Sequence, residues 1–516
     1  MTAQAGLLRA RSILSLVPGQ EGDSIWWEGG RVRELGRWPD LDRRIPREVP
    51  RWELPEALVT PGFVDSHTHF TSWALGQSEV RLTGSPTRAD AVSRVTAGCP
   101  FQGWIVGQGW DANRWDRAPG RSELDHIPHP VFLDSLDVHA AWVNSAALQA
   151  AGITRDTPDP PGGRVVRDAD GAPTGLLLEN AVALVRDVLP SPPSELLLRA
   201  TLQAQREAHR LGVTGIHNVE GHHALQTFQA MDAGGELRLR VLFHHPVADL
   251  EKLVRQGTRS GAGSEWLTHG GVKLFLDGSL GSRTAWMLDP YEGTTDRGMP
   301  VTDREVAALA ITTAANAGLA AVVHAIGDAA VRRALDLISG APRVGISHRI
   351  EHFQCVHPAD LARAARESIV LSMQPAHILT DIPLADRHWG ARGAGAYAFR
   401  SLLAQGSLLA FGSDTPVASL DPREGVYAAM ERHMAPGDPA WQPGERLDFE
   451  SVVRGYTEAP ARAASVAHRR GTLAPGMDAD LVAWEVGDDV FHGNGQAFRT
   501  GRVLLTVVNG EAVYQL

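Results

Sequence analysis

The sequence is poor in cysteine and carries fewer basic than acidic residues. Only two cysteines, Cys99 and Cys355, occur among 516 residues, so we expect no disulfide framework and a reducing compartment. Lysine and arginine number 49 against 60 aspartates and glutamates, which gives a formal net charge of −11. A nucleic-acid binder needs a basic surface, so we expect no nucleic-acid partner.

Long apolar runs are also missing from the sequence. No uninterrupted apolar stretch reaches the roughly 18 residues that a transmembrane helix requires, so no membrane partner is expected. Arg9 and Arg11 interrupt the N-terminal segment where a signal peptide would need its apolar core. That segment is better interpreted as a strand, and these features together predict a cytoplasmic protein.

The two ends of the chain share a β-rich pattern. A chain of 516 residues is too long for one compact core, so a large domain with smaller ones is expected. Residues 1–58 and 465–516 consist of short apolar runs separated by glycine and proline, and Asn509-Gly510 is a hairpin signal. We therefore predict a small composite β-sandwich domain built from both termini.

Residues 59–464 alternate between short apolar runs that end in polar residues and helical stretches. Eight such runs occur, at 59–70, 213–218, 239–245, 271–278, 319–328, 345–353, 368–375 and 408–414. Repeated βα units imply a parallel sheet, and eight favour a distorted (β/α)8 TIM barrel over a doubly wound sheet. Residues ~80–190 are too long for one βα unit and rich in Pro, Gly, Asp and Trp, which predicts an insertion over the barrel mouth.

Ionisable residues accumulate at the predicted strand ends, where barrel enzymes place their active sites. They are His67, His69, His217, His244, Lys273, His324, His352 and Asp414. Any single histidine of this set is most simply a buried residue with its hydrogen bonds satisfied. The accumulation at one mouth instead favours a metal site, because His67 and His69 share one face of a strand and can converge on an ion.

Lys273 and Asp414 each have two interpretations. A lysine that points into a barrel must be paired, deprotonated or modified. Lys273 could therefore become a carbamate that bridges two ions, or pair with Asp277 or another acid. Asp414 could bind a metal and transfer a proton, or cap the helix that follows it.

Several motifs together resemble those of the amidohydrolase superfamily, and more narrowly its amidohydrolase-3, YtcJ-like branch. That branch includes N-substituted formamide deformylase. Besides the H-x-H pair, the motifs are GQGWDANRW (107–115), HAAWVNSAAL (139–148), PTGLLLENA (173–181), KLFLDGSLGSRTA (273–285), HAIGDAAV (324–331), RIEHFQ (349–354) and FGSDTPV (411–417). The resemblance covers nearly the whole chain.

The resemblance implies one or two divalent ions, with zinc expected. It assigns six residues to the metals: His67, His69, Lys273, His324, His352 and Asp414. His67, His69 and Asp414 would hold one ion, and His324 and His352 the other. Lys273 as a carbamate would bridge them, with Glu179 as the alternative ligand. Asp65 and Glu351 are candidates for orienting a ligating imidazole.

The resemblance also implies hydrolysis of a C–N bond in an amide or formamide. Metal-bound hydroxide would attack the carbonyl carbon, and Asp414 would take the proton and pass it to the departing amine. The alternatives are cyclic-amide, deaminase or ester hydrolysis, and a non-catalytic ligand-binding barrel. We expect a small-molecule substrate, and a homo-oligomer is compatible with the sequence. Candidate substrate contacts are Trp110, Asp111, His139, His217, Ser279 and Arg283.

Overall fold

A computed structural model describes residues 4–516. Residues 1–3, which the predicted terminal domain includes, lie outside the described residues. Over the described range the chain forms 21 β-strands and 17 α-helices. The strands belong to three sheets, one of seven, one of six and one of eight strands.

Strands from both ends of the chain form the seven-stranded sheet. They are β1 (Gly6–Ile13), β2 (Ser24–Glu28), β3 (Arg31–Gly36), β4 (Arg51–Pro61), β19 (Leu481–Glu485), β20 (Arg502–Val508) and β21 (Glu511–Gln515). The order is β21-β20-β19-β4-β1-β2-β3, with β1 and β4 parallel. Trp27, Val59 and Leu505 are buried in its core. Strand β4 runs on to Pro61, directly before the first barrel strand, so this sheet fixes where β5 starts. The domain limits at residues 58 and 465 stay predictions.

The eight-stranded sheet is the barrel, and every neighbouring pair in it is parallel. Its strands are β5 (Phe63–Thr68), β12 (Val213–Val219), β13 (Arg240–Pro246), β14 (Leu267–Phe275), β15 (Ala321–Ala325), β16 (Arg349–His352), β17 (Val370–Met373) and β18 (Leu408–Phe411). The first and last strands meet beyond their regular pairing, where the Asp414 amide donates to the His67 carbonyl oxygen at 2.8 Å. Each strand overlaps one of the eight predicted runs, so the (β/α)8 prediction is confirmed.

The insertion after β5 forms the six-stranded sheet. Its strands are β6 (Val80–Arg81), β7 (Ile105–Trp110), β8 (Val131–Ser135), β9 (Ala140–Val143), β10 (Gly163–Arg167) and β11 (Pro173–Glu179). Each face covers its own apolar cluster, one around Trp110 and Trp142 and the other around Phe132 and Leu177. Because both faces are covered, this sheet is a packed unit that can present rigid loops to the barrel.

Most helices cover the outside of the barrel, and the largest apolar core lies between them and the strands. The α-helices are α1 (Trp38–Arg44), α2 (Phe70–Gly76), α3 (Arg88–Thr96), α4 (Ser145–Ala150), α5 (Ala183–Arg186), α6 (Ser194–Arg210), α7 (His222–Ala233), α8 (Leu250–Gln256), α9 (Arg304–Asn316), α10 (Asp328–Ser339), α11 (Arg363–Glu367), α12 (Ile378–His388), α13 (Phe399–Ala404), α14 (Pro422–Glu431), α15 (Phe449–Tyr456), α16 (Glu458–Ala463) and α17 (Gly495–Arg499). In α6, Leu197, Ala204 and Ala208 are buried at helical spacing. Among the described residues, no helix combines the length and the apolar character that a membrane crossing requires.

Candidate metal centre

The first and last barrel strands bring two imidazoles and a carboxylate together. Asp414 Oδ1 lies 3.2 Å from His69 Nε2 and 3.4 Å from His67 Nε2. Ligand atoms of all three residues lie within 4.8 Å of one another. His67 Nε2 is buried and forms no aligned hydrogen bond within residues 4–516. Two imidazole nitrogens and a carboxylate oxygen at this spacing fit one divalent ion.

His324 and His352, at the ends of β15 and β16, lie beside this group. Their ring centroids are 4.4 Å apart, and the ring of His352 is 5.1 Å from that of His67. Nδ1 of each is buried without a hydrogen-bond partner in the described part of the chain. In His324 the other nitrogen, Nε2, lies 3.1 Å from the Gly278 carbonyl oxygen and donates to it. Nδ1 of His324 is then the lone-pair nitrogen, so these residues fit a second ion.

Lys273 is buried inside the barrel and has no ion pair with any described residue. Its side chain is close to the ring of Phe275, with Nζ 4.5 Å from the ring centroid. The alternative pairing with Asp277 is not formed, because that carboxylate accepts the backbone N–H groups of Ile326 at 3.0 Å and Gly327 at 2.8 Å. Burial lowers the pKa of Lys273 to about 8. A neutral amine, the form that adds CO2, is therefore accessible near neutral pH.

The Glu351 carboxylate fixes the orientation of the His67 ring. Its carboxylate accepts a hydrogen bond from His67 Nδ1 and another from Arg349 Nη2 at 3.0 Å. Although burial raises the pKa of Glu351, Arg349 and His67 hold it well below its usual range. Burial lowers the pKa of His67 to about 4, so the ring is the neutral form that a metal needs. Asp65, the other candidate, instead accepts the backbone N–H of His67 at 3.0 Å.

Arg349 extends this buried network to two further histidines. Its Nη1 lies 2.9 Å from His217 Nδ1 and 3.3 Å from His244 Nε2. The side chain is 2% exposed. Sequence patterns single out RIEHF for its histidine, but the arginine three positions earlier gave no separate signal. The Nδ1 atom of His217 lies against Arg349, and the predicted contact of this residue with substrate stays a prediction.

The insertion places His139 at the barrel mouth. Its ring centroid lies 5.1 Å from that of His324, and its Nδ1 donates to Glu179 at 2.7 Å. Burial lowers the pKa of His139, but the carboxylates of Glu179 and Asp137 outweigh it and raise the value to about 9. Glu179, the alternative bridging ligand, is occupied by His139 and by the Thr284 hydroxyl at 2.5 Å.

The other predicted substrate contacts have different surroundings. Trp110 is buried in the insertion core and donates Nε1–H to the Leu133 carbonyl oxygen at 2.8 Å, which favours a packing role. The Ser279 hydroxyl donates to Asp137 at 2.6 Å. Arg283 is exposed. Asp111 lines the cavity described next, whereas His139 lies beside His324, one of the candidate metal ligands.

A cavity of about 420 Å³ separates the insertion from the loops that follow β17 and β18. Its apolar lining comes from Leu82, Leu136, Leu379 and Val417. His377, in the same β17 loop, has a ligand atom within 4.8 Å of those of His352 and Asp414. His377 was not among the predicted site residues, because it lies two positions beyond the run at 368–375, whereas His67, His324 and His352 lie within theirs.

Comparisons with known proteins agree with this geometry. The Amidohydrolase family, in its amidohydrolase-3 form, matches residues 54–514. The putative amidohydrolase YtcJ of Bacillus subtilis (strain 168) is 31% identical over 97% of each chain. N-substituted formamide deformylase of Arthrobacter pascens is 26% identical over 94% of each chain. A structure titled an uncharacterized metal-dependent hydrolase from Pyrococcus horikoshii OT3 is 27% identical, with a TM-score of 0.78, covering 96% of this chain and 99% of that one. This chain therefore belongs to the amidohydrolase family and is a metal-dependent hydrolase.

Proposed function

We propose that this protein hydrolyses the C–N bond of an amide or formamide that carries an apolar substituent on nitrogen. The observation that carries the proposal is the convergence of His67, His69 and Asp414 beside His324 and His352, with buried ring nitrogens left free. The name of the Arthrobacter pascens relative, an N-substituted formamide deformylase, supports this choice of bond.

His67, His69 and Asp414 would hold one ion in this proposal, and His324 and His352 a second. Carboxylated Lys273 would bridge them, which its burial and the lowered pKa of its amine support. Divalent ions here, zinc in our proposal, supply a water of lowered pKa and polarise the substrate carbonyl. Glu351 keeps the His67 ring in the orientation that such binding needs, through its hydrogen bond to Nδ1.

Asp414 is the proton carrier of the proposed reaction. Burial alone raises the pKa of Asp414, but His67 and His69 beside it hold the value well below its usual range. The carboxylate is therefore charged and can accept the proton of the attacking water. It then delivers that proton to the nitrogen of the departing amine, which would otherwise leave as an unstable anion.

The cavity beside the centre would receive the substituent on nitrogen. Leu82, Leu136, Leu379 and Val417 give it an apolar wall, and about 420 Å³ is in the range of small-molecule sites. Three acids also line it. Glu424 pairs with Arg499 at 2.8 Å and Asp421 with Arg423 at 2.5 Å, while Asp111 accepts the backbone N–H of Asn113 at 3.0 Å. An alkyl or aryl group therefore suits this space better than a charged one.

The test combines metal analysis with a substrate panel. Wild-type protein, His67→Ala and, as a matched control, the exposed-histidine variant His222→Ala are loaded with zinc, and bound zinc is measured by mass spectrometry. Hydrolysis is then followed by chromatography of the products with N-hexylformamide, N-hexylacetamide, glutarimide, which opens to glutaramic acid, and hexyl formate. We expect zinc loss only in His67→Ala and the fastest turnover with an open-chain amide. Unchanged zinc in His67→Ala, or turnover of none of the amides by zinc-loaded wild type, would refute the proposal.

A further inference from the structure

His139 is the imidazole that reaches the centre from the insertion rather than from a barrel strand. Its ring lies 5.1 Å from that of His324 and 6.3 Å from that of Phe275, between centroids. Phe275 is 37% exposed, so the His139 ring, which lies beside it, borders the open part of the barrel mouth. Since His139 Nδ1 is used by Glu179, the nitrogen that remains for a ligand is Nε2. Within residues 4–516, Nε2 has no hydrogen-bond partner.

The position of His139 is fixed by bonds between the insertion and the loop after β14. Asp137 accepts hydroxyl hydrogen bonds from Ser279 at 2.6 Å and Ser282 at 2.7 Å. Glu179 accepts from Thr284 at 2.5 Å. Both carboxylates therefore anchor the insertion to the barrel and also hold His139, because Asp137 accepts its backbone N–H at 3.3 Å and Glu179 accepts from its ring at 2.7 Å.

The backbone of Glu179 itself adopts an energetically unfavourable conformation while its side chain makes these contacts. Its φ is 52° and its ψ is −128°, a region that side-chain-bearing residues rarely adopt. Such strain persists only where surrounding contacts over-determine it, and it is concentrated at functional sites. A glycine at position 179 would relieve the strain but would leave His139 without its acceptor.

We propose that His139 is a catalytic residue of the hydrolysis, donating a hydrogen bond from Nε2 to the substrate carbonyl oxygen as negative charge develops there, and that Glu179 positions it. The inference rests on the proposed cleavage of a carbonyl C–N bond. With Nδ1–H given to Glu179, a donor at Nε2 makes the ring an imidazolium. The carboxylates of Asp137 and Glu179 stabilise that cation, and a preorganised charged donor is effective at a developing oxyanion.

The chemical step balances without any further reactant. Water adds to the carbonyl carbon, and the carbonyl π electrons move onto the oxygen that His139 contacts. When this electron pair returns, the C–N bond breaks and its electrons leave with the nitrogen. The nitrogen receives the proton that Asp414 took from the water, while His139 neither gains nor loses a proton.

The test uses methylphosphonate, a tetrahedral oxyanion, as a probe that does not depend on knowing the substrate. Its affinity for the full-length, zinc-loaded chain is measured by calorimetry in wild type, His139→Gln, Glu179→Gln and the double variant. His222→Gln is the matched control, because it makes the same substitution at an exposed histidine and leaves His139 and its anchoring bonds in place. Bound zinc and the circular dichroism spectrum are recorded for every variant, and kcat is measured with N-hexylformamide.

His139→Gln should keep its zinc and weaken methylphosphonate binding roughly 10- to 100-fold, as expected for one hydrogen bond to a charged group. Glu179→Gln should weaken it in the same direction, and the double variant should bind no worse than His139→Gln, because Glu179 acts through His139. His222→Gln should bind like wild type. For kcat, loss of such a donor predicts a fall of roughly 10²-fold or more.

Three results would overturn the role of His139: affinity in His139→Gln equal to wild type, no methylphosphonate binding by wild type, or zinc loss in either single variant. Zinc loss would make the altered side chain a metal ligand instead. If wild type hydrolyses no amide but its methylphosphonate affinity still depends on His139, the proposed function fails while the oxyanion contact stands.

Discussion

Replacing Glu351 with glutamine removes the only carboxylate that accepts hydrogen bonds from both Arg349 and His67 among the described residues. Arg349 Nε and Nη2 both donate to Glu351. The side chain of Arg349 is 2% exposed and that of Glu351 is 0% exposed. The variant leaves a guanidinium in the barrel without its counter-charge. Breaking a buried pair on one side costs about 3–5 kcal/mol. Because Glu351 also orients His67, we expect metal affinity to fall roughly 10- to 100-fold.

The two effects are separable in one set of variants. Urea unfolding of metal-free protein, followed by tryptophan fluorescence, measures the stability change in Glu351→Gln, Arg349→Met and the double variant. The double variant removes both charges, so it should be more stable than Glu351→Gln alone. Competition with a chelator gives zinc affinity, which should fall whenever Glu351 is replaced. A stability loss in Glu351→Gln below 1 kcal/mol, or a double variant as unstable as the sum of the singles, would refute the role given to this pair.

Three further predictions concern the amine, the cavity and acid stability. Lys273→Met should hold fewer zinc ions than wild type, and added bicarbonate should increase zinc loading of wild type only, as native mass spectrometry would show; equal loading of both would exclude the carbamate. Leu136→Trp should raise KM for N-phenethylformamide while leaving KM for N-methylformamide unchanged, since it fills the cavity; a uniform change for both would contradict the pocket assignment. Burial lowers the pKa of His209 to about 4 from roughly 6.5 in the unfolded chain, so the stability it contributes is complete above pH 6.5 and lost as pH falls towards 4. The loss is about 3 kcal/mol by pH 4, and His209→Gln, which can still donate to the Arg238 carbonyl oxygen, should show a smaller fall in its urea midpoint between pH 7 and pH 4.5.

The barrel could be predicted from local patterns because each βα unit carries its own signal. Short apolar runs at 321–325 and 408–411 are buried strands, and their polar ends meet at one mouth because parallel strands share a direction. The fold class was predicted on this basis and is confirmed. Membership of the amidohydrolase family was predicted from the resemblance of several motifs and is also confirmed. The metal-site residues His67, His69 and Asp414 lie together, and their role as ligands stays a prediction.

What the sequence did not reveal depends on side-chain direction across distant segments. Trp110 resembled a pocket residue, yet packing against Trp142 buries it in the insertion. Arg349 has no local pattern, because its partners His217 and His244 come from other strands. His377 is the last residue of the short helical turn Pro375–His377 that follows β17, so the strand-end rule did not reach it. These placements follow from tertiary packing, which single-sequence patterns do not encode.

The contact between the ends of β5 and β18 makes assembly of the proposed metal site depend on the completion of synthesis and folding. The Ser413 amide donates to the Asp65 carboxylate at 2.9 Å, a contact between residues 348 positions apart in the chain. His67, in β5, and Asp414, just after β18, lie on opposite sides of this contact. A nascent or truncated chain that ends before β18 lacks Asp414 and therefore cannot assemble the three side chains proposed to hold the first ion. Bound metal would then add its binding free energy to the stability of the complete barrel, and not to that of a partly folded chain.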